Sequence, residues 1–277
     1  MPWPIDPFSL PFMQRAALEI LLLAPLAGVI GAQIVLRRLA FYTHAVGTAT
    51  FPGLVIAGPA GIPPALAALA VGGTYAAGLE RLGRVRGLGR DVATALLLVA
   101  ALAIGIVLAS DVFDSGSGVD RLLFGSLLAI GDDELLATLV ASLVVLAAAA
   151  AFRRTWIATG FDPQIAPALG LRSRVADRLL IAAIAVAVIA AVDAVGALLV
   201  SAILVMPAAT ARLFTRSVGA LELTAVGLAL AQGIGGLLLA FELDVPPGAA
   251  IAVLGGTAFA VAATATALMG RSAETAA

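Results

Sequence analysis

The 277-residue chain contains no cysteine, no lysine and a single histidine, His44. Without thiols there are no disulfides, thiolate metal centres or cysteine nucleophiles. All sixteen basic residues are arginine, so the chain lacks the phosphate-binding P-loop, whose lysine must reach the β- and γ-phosphates. One histidine excludes the paired-histidine helical zinc site of metalloproteases. Any ATP that powers this protein must therefore be bound by another polypeptide. Charge is scarce as well, with 12% Asp, Glu, Lys and Arg. The alternating ten-residue strands of a membrane barrel are missing too.

What remains is 62% hydrophobic, with a mean hydropathy of +1.11, well outside the soluble globular range. Apolar runs near twenty residues recur along the chain, each long enough to cross about 30 Å of hydrocarbon as a helix. The expected fold is all-α, a polytopic membrane bundle of eight to nine spans, near 16–36, 43–59, 63–80, 91–110, 134–152, 179–194, 197–213, 221–240 and 248–269. Fourteen arginines fall in alternate connections, namely Arg37 and Arg38, 81–90, 153–178, 212–216 and 271, and the positive-inside rule makes those connections cytoplasmic. Acidic residues gather on the opposite side, from Asp111 to Glu134 and at Glu242 and Asp244. Nine spans with the N-terminus outside satisfy this pattern; eight, with an in-plane first segment, also fit. The start, Met1 to Phe8, has no basic region, so no cleaved signal peptide is expected, and Trp3 and Phe8 suit headgroup depth. No polar stretch is long enough for a second domain, so 1–277 reads as one transmembrane domain with no nucleic-acid partner.

Three groups of residues carry candidate chemistry. Thr43, His44, Thr48 and Thr50 cluster ahead of Pro52-Gly53 in the second span, where polar groups are expensive and call for a role. His44 can ligate a metal ion or carry a proton, and Thr48, four residues on, shares its helix face. A structural hydrogen bond between helices is the plainer alternative. The carboxylates of Asp193, Glu242 and Asp244 lie at outer turns, as solvated rims or as a funnel that concentrates cations. Glu19 and Gln33 on the first span suit snorkelling to a helix end or interhelical hydrogen bonds, with a role facing the bundle interior as the alternative. Finally, the cytoplasmic segment 159–177 contains Asp162-Pro163, a helix-starting pair, and Gly170 to end the helix. Ile165, Ala166 and Leu169 would form its apolar face, either docking a cytosolic partner or packing on the bundle itself.

This segment, together with the downstream run from Val195 to Phe214 containing Met-Pro-Ala-Ala-Thr-Ala-Arg212, resembles the permease family of bacterial ABC importers for zinc and manganese. Similar stretches are Val35-Leu-Arg-Arg-Leu-Ala-Phe41, Phe51-Pro-Gly53, Leu123-Phe-Gly125 and Leu243-Asp-Val-Pro-Pro-Gly-Ala-Ala-Ile251, in collinear order. The resemblance implies a homodimeric permease in the bacterial inner (cytoplasmic) membrane, with no permanently bound cofactor. A divalent metal ion would be the transported substrate. A separate cytoplasmic ABC ATPase would bind ATP and dock through Phe161, Asp162, Ala166 and Gly170. An extracytoplasmic solute-binding protein would deliver the cargo. By that resemblance the path runs through His44 and Thr48, with His44 as the candidate metal ligand, while Asp193, Glu242 and Asp244 are the candidates for supplying negative charge to it. The family's second span reads Gly-Asp-Ala-x-x-His-Ala-x-x-Pro-Gly. Aligned on Pro52-Gly53, this chain carries His44 at the aspartate and Thr48 at the histidine.

Other readings stay open. Permeases of the divergent anchored-repeat type share the resemblance with a different cargo. A proton-coupled secondary carrier would use His44 as a relay, although no inverted repeat is visible in the charge or Pro/Gly pattern. An intramembrane enzyme would need paired catalytic groups that the nearly bare spans do not offer.

Overall fold

A computed structural model describes residues 7–82, 89–112, 123, 125, 127–161 and 173–275. Every element among them is helical: α1 (Pro11–Leu36), α2 (Ala40–Ala49), α3 (Phe51–Ala60), α4 (Pro64–Leu82), α5 (Arg90–Val107), α6 (Asp132–Phe161), α7 (Ser173–Val195), α8 (Val200–Arg212), α9 (Val218–Leu243) and α10 (Pro247–Thr275). A π turn, Leu108–Val112, continues α5, and short 3₁₀ turns lie at Pro7–Ser9 and Leu127–Ala129. Six helices are long and apolar enough to cross a membrane: α1, α5, α6, α7, α9 and α10; α8 is shorter and also apolar.

α1 is the axis of the bundle and packs against α6, α7, α8 and α9. It begins with Pro11 at the first helical position, where the missing N–H costs nothing. Met13, Ile20, Leu23, Leu26, Ile30 and Ile34 are all within 1% of complete burial, as befits a helix that is apolar all round. Lipid tails are as apolar as these side chains, so close packing rather than exclusion of water holds the helices together. Glycine supplies that closeness. A Cβ at Gly31 would collide with the carbonyl oxygen of Leu204 on α8, and one at Gly28 would lie 2.8 Å from the carbonyl oxygen of Glu222 on α9. The outer faces of α5, α6 and α10 expose Leu96, Val99, Leu136, Leu143, Val253 and Val261, the apolar surface a lipid-facing helix needs.

Buried polar side chains bridge the helices. Thr138 donates to Glu19 at 2.8 Å, Ser142 to the Leu22 carbonyl at 3.3 Å, and Gln232 to the carbonyls of Ala202 and Ile251 at 3.3 and 3.2 Å. Glu19 and Gln33 are both buried.

The second expected span, 43–59, is divided into α2 and α3 at Thr50. Pro52 has no N–H to give the carbonyl four residues back, and the Thr50 hydroxyl donates to the Gly47 carbonyl at 2.6 Å. At about 15 Å each, α2 and α3 are half-membrane pieces. Another break falls at Gly196, whose φ of +90° ends α7 and turns the chain into α8. Such a φ is free of strain only for glycine.

Candidate functional site

His44 sits in the second turn of α2, half-buried. α2 packs on α5, α7, α8 and α4, and its approach to the α7–α8 turn depends on Gly47. A Cβ there would lie 3.1 Å from the Ala197 carbonyl and overlap the Val200 side chain. This contact, with the turn at Gly196, sets the start of α8 beside α2. The His44 Nδ1 then faces Ser201 Oγ at 3.4 Å. That separation is loose for a hydrogen bond, and it leaves either group able to turn to a third partner.

Thr48 follows His44 by one turn of the same helix. Its hydroxyl donates to the backbone carbonyl of His44 at 3.1 Å, just as Thr43 donates to Leu39 at 3.0 Å. Thr43, Thr48 and Thr50 are all buried and spend their protons on their own helix, a local pattern usual for threonine in apolar helices. Each oxygen keeps an acceptor lone pair. The side chain that meets the imidazole is therefore Ser201, which the sequence reading quoted within a motif but did not single out. Its signal was a lone hydroxyl in the run Ala197–Met206, detectable by the same rule that drew attention to His44.

The candidate carboxylates lie at the C-terminal ends of two helices. Asp193 lies in the last turn of α7, and Glu242 lies near the end of α9. Asp244 caps α9 in a left-handed conformation with φ +53°. Glu242 and Asp244 are exposed. Among the described residues no three His, Asp or Glu side chains gather as a metal-binding group. Of the docking residues, Phe161 ends α6, while Asp162, Ala166 and Gly170 lie outside the described residues. Among the described residues the candidate site brings together one imidazole and one serine hydroxyl between two helices. Such a pair can hold a borderline cation briefly and release it, as a conducting site must.

The family model described as the ABC 3 transport family matches residues 9–266. The chain belongs to the ABC 3 transport family. It is 32% identical over 254 residues to the manganese transport system membrane protein MntC of Halalkalibacterium halodurans, covering 92% of this chain and 87% of the relative. It is 27% identical over 260 residues to a probable iron transport system membrane protein of Haemophilus influenzae, covering 94% and 96%. Among solved structures, PsaBC from Streptococcus pneumoniae in complex with Fab superposes with a TM-score of 0.85 at 24% identity, covering 92% of each chain. This ABC 3 member thus shares its fold nearly end to end, as an integral membrane permease.

Proposed function

We propose that the chain is the membrane-spanning permease of a bacterial ABC importer for a divalent transition-metal ion, working by alternating access in the cytoplasmic membrane. The observation that carries this reading is the family match over residues 9–266, joined to relatives of nearly equal length that are named as manganese and iron transport proteins. A separate ATPase would bind the nucleotide, in keeping with the absence of lysine. It would dock on the segment 159–177 between α6 and α7, through Phe161, Asp162, Ala166 and Gly170. A solute-binding protein would load the outer mouth near Glu242 and Asp244, and a second copy of the chain would complete the pore. Nine spans follow if α2 with α3, α4 and α8 join the six long helices in crossing the membrane, and eight if one of these three does not cross.

His44, Thr48, Ser201 and Asp193 would line the path. An imidazole with hydroxyl partners suits zinc and iron(II) better than manganese, which favours carboxylate oxygen. Because no three His, Asp or Glu side chains gather as a metal-binding group among the described residues, a cargo whose charge is already compensated, such as a metal chelate, is the second reading.

Growth of a host stripped of its own importers tests the proposal. Expressing the chain with its ATPase and binding protein should restore growth and cell metal content under metal starvation, and His44→Ala should lower uptake about tenfold. Rescue of growth with unchanged cell metal would point to another cargo. Metal uptake driven by a proton gradient without the ATPase would establish the secondary carrier instead.

A further inference from the structure

Arg37 ends α1 and is buried among three helix ends. Its side chain is 14% exposed, and one Nη lies 2.7 Å from Asp177 Oδ1, in the first turns of α7. The other Nη donates to the Trp156 carbonyl at 2.9 Å and to the Thr159 hydroxyl, both in the last turns of α6. Trp156, itself 1% exposed, donates its indole N–H to the Ala176 carbonyl on α7 at 2.8 Å. One guanidinium therefore fastens the end of α6 and the beginning of α7 to the end of α1. A planar fork with fixed donors can hold such a three-way arrangement in one geometry; an ammonium cannot.

These two helix ends flank the segment proposed to dock the ATPase, so a push on that segment reaches both of them. On its other side Arg37 leads straight into the helix that carries His44. Arg38 takes a left-handed φ of +58°, Leu39 N–H bonds the Ile34 carbonyl at 2.9 Å, and Thr43 N–H bonds Leu39 at 2.9 Å. The turn is tight and fully hydrogen-bonded, and His44 follows Arg37 by seven residues in the sequence.

We propose that Arg37 is the positioning residue that makes α2, and with it His44, move as one body with the flanks of the docking segment. The proposal rests on the functional reading above. Arg37 touches neither cargo nor nucleotide; it acts through Trp156, Thr159 and Asp177. Its removal should spare the fold, because Thr159 also bonds Thr155 at 2.8 Å and Trp156 keeps Ala176. Asp177, with 44% of its side chain exposed, would be solvated.

The test uses the permease assembled with its ATPase and binding protein in proteoliposomes, reading radioactive manganese and zinc taken up per ATP hydrolysed. Arg37→Gln should keep assembly and ATP hydrolysis within about twofold and lower uptake per ATP at least tenfold. Arg37→Lys and Asp177→Asn should lose a few-fold. The exposed pair Arg178–Glu80, at 3.8 Å, is the control, and Arg178→Gln should match the parent. Because the chain has no cysteine, spin labels at Phe41→Cys and Val175→Cys report the geometry directly. Their separation should stay constant between nucleotide states in the parent and change with nucleotide in Arg37→Gln. Unchanged uptake per ATP, or loss of uptake and hydrolysis in equal proportion, would overturn the proposal. A parent complex without ATP-dependent uptake would overturn the functional reading and this proposal together, whereas a coupled parent with an equally coupled Arg37→Gln would overturn this proposal alone.

Discussion

At His44 the chemistry turns on which atoms the imidazole can reach. Ser201 stands 3.4 Å from Nδ1, too far for a strong bond, so the pair contributes less to stability than the usual ~1 kcal/mol of a neutral hydrogen bond. Ser201→Ala should therefore leave thermal stability within about 0.5 kcal/mol while raising the KM for metal uptake several-fold. A large loss of stability without change in KM would make the contact structural. Replacing His44 by the aspartate of the family pattern exchanges an imidazole for an anionic oxygen. His44→Asp should accordingly shift preference from zinc toward manganese in a competition uptake assay, and unchanged preference would remove His44 from the cargo's path. The interior pair Glu19–Thr138 is of another kind, since Glu19 is 1% exposed and accepts from Thr138 at 2.8 Å. Thr138→Val takes that donor from a buried carboxyl and should cost about 1–3 kcal/mol, measured by thermal unfolding in detergent.

At the scale of elements, glycine decides how near the helices come. Gly31→Leu would drive a side chain into the Leu204 backbone, where the obstacle cannot swing aside, and should abolish recovery of folded protein from the membrane. Gly227, also within a helix, has open space beside it. Gly227→Ala should therefore be neutral or stabilise by up to ~1 kcal/mol, and the contrast between the two is read by size-exclusion chromatography. The helices themselves were legible from hydropathy, because each apolar run must satisfy its backbone internally and so has one solution. Their breaks were legible in part. Gly196 falls between the expected spans 179–194 and 197–213, whereas the division of 43–59 at Thr50 came from Pro52 acting in concert with a threonine hydroxyl. The lone hydroxyl of Ser201 was visible in its apolar run, but its pairing with His44 was not legible. Ser201 is separated from it by 157 residues, and a one-dimensional periodicity carries no information on which helix faces which. Arg37 was hidden for the same reason. Among arginines that mark the cytoplasmic side it looks like one more topological charge, until Asp177 and Trp156 are brought against it.

At the scale of the whole molecule, the chain is a membrane permease of the ABC 3 transport family, with its energy source proposed to lie on a separate ATPase. It has no lysine for a P-loop, its described residues form a helical bundle without a soluble domain, and it matches the ABC 3 transport family over residues 9–266. The division of labour between permease and ATPase is thus the claim on which the account stands. The measurement that tests it is ATP hydrolysis and manganese or zinc uptake by the purified chain in proteoliposomes, first alone and then with its ATPase and binding protein. Alone, the chain should hydrolyse no ATP and accumulate no metal; with both partners, uptake should appear, require ATP and fall on Asp162 or Gly170 substitution. Hydrolysis by the isolated chain, or metal accumulation that ignores the ATPase and follows a proton gradient, would contradict it.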